Sequence, residues 1–183
     1  MIIINISGLQ GSGKSTLAKQ LVNYMGQKYG ADSVGCIKYA DPLYKCHDAI
    51  VEILRDYGVQ MNDKEGELLQ KIGDWGREIK GETTWIDIAV NRVEAYLHNG
   101  AKCVIIDDCR YLNELNIFPE AHKIRLEAPE EVRKARAESW RPNTKHSSEN
   151  DLNNHLDKFD IVVETDKNTT AEVFQKVVER FGL

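Results

Sequence analysis

Gly8-Leu9-Gln10-Gly11-Ser12-Gly13-Lys14-Ser15-Thr16 satisfies the pattern G-x-x-x-x-G-K-[ST] at every fixed position. The residue types follow from the needs of a triphosphate. Glycines let the backbone wrap an anion closely, so that several N–H groups point inward without a Cβ in the way. A helix that starts at the loop adds its unpaired N-terminal N–H groups and the positive end of its dipole. The flanks supply that context. Ile2 to Ser7 is a β-branched run that reads as a buried strand, and Lys14 to Gly26 reads as the helix after it. The stretch therefore predicts a nucleotide-binding loop made by Gly8, Gly11, Ser12, Gly13, Lys14, Ser15 and Thr16. Lys14 is expected on the β- and γ-phosphates of ATP and the Ser15 hydroxyl on Mg2+.

Outward from the loop, short β-branched runs alternate with helical stretches. Val34 to Tyr39, Lys102 to Asp107, His122 to Glu127 and Asp160 to Glu164 read as further strands. Pro42 to His98 reads as helix in pieces divided near Gly58, Gly73 and Gly81, and Glu130–Trp140, Ser148–Lys158 and Thr170–Phe181 as later helices. Strands separated by helices predict an α/β domain with a parallel sheet covered on both faces, its ligands beyond the carboxyl ends of the strands.

Cys103-Val104-Ile105-Ile106-Asp107 is a hydrophobic strand ending in an acid, the form expected beside a phosphate loop, and Asp108 follows at once. Either aspartate can face the site, with Asp107 the candidate metal ligand. Phosphoryl transfer spreads negative charge that arginines neutralise. Arg133 and Arg136 lie three apart on one helix, with Arg141-Pro142-Asn143-Thr144-Lys145 beyond them as a stretch suited to a lid over ATP, and both count with Lys14 as candidate catalytic groups. The segment 41–99 exceeds a simple crossover and predicts an acceptor-binding insert, with Asp41, Arg77 and Trp85 as candidate contacts. Arg110 and Glu114, just past the third strand, join them.

Tyr39-Ala40-Asp41-Pro42-Leu43, Leu69-Gln70 with Gly73, Arg77, Trp85, Asp108-x-Arg110-x-x-Asn113-Glu114 and His146-x-Ser148-Glu149 together resemble the deoxynucleoside monophosphate kinases of bacteriophages and their bacterial relatives. The resemblance implies one P-loop NTPase domain over residues 1–183, like the nucleoside monophosphate kinases. It implies a five-stranded parallel sheet of order 2-3-1-4-5 flanked by helices, a helical insert at 41–99 and a lid region at 130–150. It further implies transfer of the ATP γ-phosphoryl group to a deoxynucleotide 5′-phosphate, with Arg77 and Arg110 on the acceptor phosphate and Asp108 as the strand-end acid. Asp107 departs from the pattern, standing where a small polar residue is expected.

The bulk properties agree. A chain of 183 residues suits one compact domain. A net charge of -5 argues against a nucleic-acid partner, and the partner expected from the phosphate loop and the resemblance is a small-molecule nucleotide substrate. No apolar stretch is long enough for a membrane span, the four cysteines form no C-x-x-C pair, and the expected compartment is the cytoplasm, with a homodimer as the default assembly. Two other readings compete. One is a kinase for another acceptor, a small metabolite or a hydroxymethylated base in DNA. The other is a nucleotide-dependent switch, which Asn143-Thr144-Lys145-His146 does not support because it lacks the N-K-x-D form.

Overall fold

The structure is a computed structural model that describes residues 1–63, 65–137, 140, 147 and 150–183. The lid stretch 141–145 and His146, Ser148 and Glu149 of the H-x-S-E segment lie outside the described residues. The described chain divides into two compact units, Met1–Lys38 with Arg92–Leu183, and Tyr39–Asn91.

The larger unit holds five strands: β1 (Ile2–Gly8), β2 (Val34–Ile37), β3 (Cys103–Cys109), β4 (His122–Glu127) and β5 (Ile161–Glu164). All pair in parallel, in the order β2-β3-β1-β4-β5 that the family resemblance implies. Helix α1 (Lys14–Tyr29) and the C-terminal helix α7 (Thr170–Phe181) cover one face. Ile4 and Ile6 of β1, Ile105, Ile124, Leu126 and Val163 meet Leu17, Leu21 and Met25 of α1 and Val173 and Val177 of α7 there. This apolar layer is the main core, and at about 25 cal/mol per Å² its burial is the principal force holding α1 to the sheet. Helix α7 is started by Thr169 and Glu172, each capping the other's backbone N–H, and ended by Gly182 in the left-handed conformation.

Residues two apart on a strand share a face. The other face of β1 therefore carries Asn5 and Ser7, both fully buried, and β4 adds Arg125, only 3% exposed. A polar layer thus lies under the second face of the sheet.

The register along β1 and β3 is regular from Ile2↔Cys103 to Asn5↔Ile106, and then jumps to Ser7↔Cys109. Two β1 steps match three β3 steps, so β3 bulges by one residue at Asp107–Asp108. The strand consequently runs on to Cys109 instead of stopping at Asp107 as the sequence suggests.

In the unit Tyr39–Asn91, α2 (Asp41–Asp56) packs on α3 (Gly66–Lys80), and α4 (Thr84–His98) starts there. The expected breaks at Gly58 and Gly81 hold, but Gly73 lies inside α3. Its missing side chain leaves room for Leu43, and that of Gly76 for the Trp85 ring. Buried His47 ties α2 to the start of α3, its Nε2 accepting from the Glu65 N–H at 2.9 Å and its Nδ1 lying 2.8 Å from Asp48 Oδ1. The acceptor at Nε2 places the ring proton on Nδ1, donated to Asp48.

Three further elements differ from expectation. Helix α5 (Leu112–Asn116) has too few residues to show periodicity. Helix α6 (Glu130–Arg136) stops short of Trp140, because Ala137 is extended. Where a helix was expected to reach Lys158, residues 150–154 form turns and Leu156–Lys158 a single 3-10 turn. Asn and Asp side chains there bond elsewhere, Asn153 to Asn150 and Asp151 to the Leu112 N–H, which competes with helix formation. No helix of the described residues is long and apolar enough to cross a membrane.

Candidate active site: the phosphate loop and its supports

The loop between β1 and α1 owes its course to glycines. Gly11 and Gly13 have φ of 78° and 97°, values side chains rarely adopt, and Gly13 caps α1 in the left-handed conformation. Lys14 folds back over the loop, its Nζ donating to the carbonyl oxygens of Gly8 at 2.7 Å and Leu9 at 3.0 Å. Ser15 and Thr16, in the first turn of α1, are exposed, while Ser12 is fully buried. Its Oγ has no hydrogen-bond partner among the described residues.

Two arginines expected on a lid hold the loop from behind in this structure. Arg133 is buried, and its Nη1 donates to the Gln10 carbonyl at 3.1 Å while its Nε donates to the Ala128 carbonyl at 3.1 Å. The Trp140 ring lies 5.3 Å from the same guanidinium. Arg136 donates from both Nη atoms to Thr165, to Oγ1 and to the carbonyl oxygen, each at 2.9 Å, and Thr165 Oγ1 in turn donates to the Ser12 carbonyl at 3.1 Å. Both side chains are spent on backbone carbonyls and neighbours of the loop, because α6 packs its arginine face against the loop instead of projecting from it. Thr165, just past β5, is thus part of the same support.

Beside the loop stands Asp107, 4% exposed. Its Oδ2 lies 3.8 Å from Lys38 Nζ, just past β2, and its buried Oδ1 has no hydrogen-bond partner among the described residues. Asp108 is half-buried and close enough to Glu114 for its charge to act there. Ser15 and Asp107 are the hard oxygen donors that suit magnesium; the lone buried Oδ1 fits a metal or its water.

Glu114, expected on the acceptor, is a cap. Its Oε2 accepts from the N–H groups of Arg110 at 2.7 Å and Tyr111 at 3.1 Å, closing the N-terminus of α5. Burial, reinforced by the charge of Asp108, pushes its pKa up to about 8 against the pull of those two N–H groups. The backbone of Arg110 is thereby fixed.

In the unit Tyr39–Asn91, Asp41 sits in the first turn of α2, where the helix dipole favours its charge. Arg77 donates from Nη2 to Asp74 Oδ1 one turn earlier, with its side chain 18% exposed. Trp85, expected to contact the acceptor, is packed on Gly76, and its Nε1 donates to the Gly73 carbonyl at 2.9 Å. That placement makes it a core residue of the α3–α4 contact: a large ring is buried and its one polar atom satisfied.

One buried group was not singled out from sequence. Arg125 Nε donates to Glu127 at 2.8 Å, Nη1 to Ser7 Oγ at 3.1 Å and Nη2 to Asn153 Oδ1 at 2.8 Å. The only signal was the alternation Lys123, Arg125, Glu127 against His122, Ile124, Leu126, which reads as a solvated face.

Comparison with known proteins bears on the fold that carries this site. The profile of the AAA domain family matches residues 4–157. No curated protein matches the chain in sequence. Among solved structures, a thymidylate kinase from Ehrlichia chaffeensis is 16% identical with a TM-score of 0.54, covering 98% of each chain. A shikimate kinase from Bacteroides thetaiotaomicron is 16% identical with a TM-score of 0.53, covering 100% of this chain and 99% of the other. A tunicamycin resistance protein from Deinococcus radiodurans is 15% identical with a TM-score of 0.54, covering 100% and 97%. At these identities the likeness is one of fold, and it runs the length of the molecules. With its phosphate loop at the carboxyl end of β1, its 2-3-1-4-5 parallel sheet and a profile match over most of its length, this chain belongs to the AAA domain family and has the P-loop NTPase fold.

Proposed function

We propose that this protein transfers the γ-phosphoryl group of ATP to the 5′-phosphate of a nucleoside monophosphate, with deoxynucleotides as the preferred class. The observation that carries the reading is the pairing of the complete phosphate loop and Lys14 with the buried, half-satisfied Asp107 at the adjacent strand end. Lys14 exchanges the carbonyls of Gly8 and Leu9 for the β- and γ-phosphates, which bind a cation more strongly than neutral carbonyls do. The loop N–H groups and the start of α1 take the remaining phosphate charge. Ser15 and Asp107 hold magnesium, directly or through water; bound there, it neutralises charge building on the transferred group. An acceptor phosphate is already ionised, so the reaction asks for positioning and charge neutralisation more than for a strong base. Arg110, with its backbone fixed by Glu114, and Arg77 are the acceptor-phosphate ligands in this reading, as the family resemblance implies.

The fold by itself does not choose the acceptor, since structures named for thymidylate and for shikimate match equally well. The experiment is an acceptor screen: purified protein, ATP and magnesium with each ribo- and deoxynucleoside monophosphate and with shikimate, scored for ADP and phosphorylated product. Diphosphate formed from one or more monophosphates supports the proposal. ADP released only with another acceptor, or with none, overturns it while leaving the phosphate loop in place.

A further inference from the structure

The polar face of β1 lies at one corner of a closed circuit of hydrogen bonds. Asn5 Nδ2 donates to the Glu114 carbonyl at 3.3 Å, and the Glu114 carboxylate holds the N–H groups of Arg110 and Tyr111. The next N–H, that of Leu112, donates to Asp151 Oδ2 at 2.7 Å, and the Tyr111 hydroxyl lies 3.2 Å from Ser147 Oγ. Two residues beyond Asp151, Asn153 Oδ1 accepts from Arg125, which also donates to Ser7 Oγ. The circuit thus runs from Asn5 through α5 and the 150–153 turn to Arg125, and back to Ser7. Leu152, 2% exposed, pins the turn between its two polar contacts.

Ser7 immediately precedes the phosphate loop, and Arg110 lies two residues before the start of α5. Both ends of the circuit are therefore referred to one strand face, two residues apart. A buried guanidinium is a costly element to place there, and an apolar side chain of similar size would fill the sheet face at less desolvation cost. What the guanidinium supplies is direction: three hydrogen bonds to β1, to β4 and to the turn, each tolerant of only a few tenths of an ångström.

We propose that Arg125 is a positioning residue for the acceptor arm, acting through Asn153 and the Asp151–Leu112 bond to set the Arg110–Leu112 backbone relative to the phosphate loop. The proposal rests on the reading of Arg110 as a ligand of the acceptor phosphate. Displacement of about 1 Å at such a ligand costs on the order of 100-fold in rate, so the arm's placement has kinetic weight.

The test uses Asn153→Ala, a change at an exposed turn, with Arg125→Lys and Arg125→Met as buried counterparts and Asn153→Asp as the conservative variant that keeps an oxygen for Arg125. Amide exchange followed by NMR reads the backbone without any substrate. Exchange at Arg110, Tyr111 and Leu112 is expected to rise about 10-fold in Asn153→Ala, with Ile106 and Leu126 unchanged and Asn153→Asp restored. In turnover, KM for the accepted monophosphate is expected to rise about 10-fold with that of ATP unmoved, and the rise is expected to vanish in an Arg110→Ala background. Unchanged exchange at 110–112 overturns the proposal, as does a rise in both KM values together or an effect that persists without Arg110. Should the acceptor screen find no monophosphate substrate, the exchange measurement still decides whether Arg125 and Asn153 set this backbone, so failure of the kinase reading is told apart from failure of the positioning role.

Discussion

The backbone carbonyl of Arg133 occupies the space that a Cβ on Gly11 would need. Helix α6 and the phosphate loop are thus in backbone contact, locked further by the bond from Arg133 to Gln10. Gly11→Ala combines a left-handed φ with a clash against backbone, whereas Gly13→Ala meets an equally unfavourable φ with nothing within 4 Å. Strain of this kind costs about 1–3 kcal/mol, so both variants lose stability. Only Gly11→Ala is expected to deform the loop, lowering ATP affinity at least ~10-fold beyond the loss in Gly13→Ala. Calorimetric titration of both with ATP checks this; equal affinities would show that α6 does not shape the loop.

Glu114 gives the protein a stability that depends on pH. Its folded pKa of about 8 lies above the ordinary value of 4.5, so the folded state holds this proton more tightly than the unfolded chain does. The stabilisation is complete below about pH 4.5 and is lost as pH rises through about 8. Glu114→Gln, which cannot ionise, should match the native protein near pH 4.5 and exceed it in Tm by about 5 °C or more near pH 8. Thermal melts across that range decide, and an offset independent of pH would place the effect elsewhere.

Thiol reactivity should divide the cysteines two and two. Cys36 and Cys46 are exposed, while Cys103 and Cys109 are buried. Burial pushes Cys103 up to about 12, and Cys109 well above its ordinary value with help from the charges of Glu114 and Asp108. Ellman's reagent at pH 8 is expected to titrate two thiols in the folded protein and the other two only on unfolding. Reaction of Cys109 in the folded state would mean that the polar layer around Asn5 opens readily.

Removing the two proposed phosphate ligands should separate donor from acceptor. Lys14→Ala should reduce turnover by at least ~1,000-fold with the fold retained by circular dichroism, since the loop's course rests on its glycines and supports. Arg77→Ala should raise KM for the acceptor about 10-fold and leave that of ATP alone. Equal effects on both substrates would remove Arg77 from the acceptor site.

The apolar half of this fold was legible because its signals are local. Ile2 to Ser7, the glycine loop and α1 declare themselves in sequence, the alternation of strands with helices gave a parallel sheet, and the family resemblance implied its order. The polar half was not legible, because a residue's function there depends on what covers it. Lys123-x-Arg125-x-Glu127 looks like a solvated strand face, yet the 150–153 turn closes over Arg125. Glu114 and Trp85 both read as acceptor contacts, whereas Glu114 caps α5 and Trp85 fills the space left by Gly76. Asp107 and Asp108 could not be ranked by alternation because the bulge breaks alternation at those two positions.

That bulge also separates two histories within one strand. Upstream of it, Cys103 to Ile106 answer only to packing between neighbouring strands and the helices. Downstream, Cys109 and Arg110 are carried one residue out of phase, so their directions are set by the polar layer and α5. Deleting a single residue at Asp107–Asp108 would leave the hydrophobic half of β3 in place and turn Arg110 to the opposite side of the sheet, a change of chemistry made without touching the core.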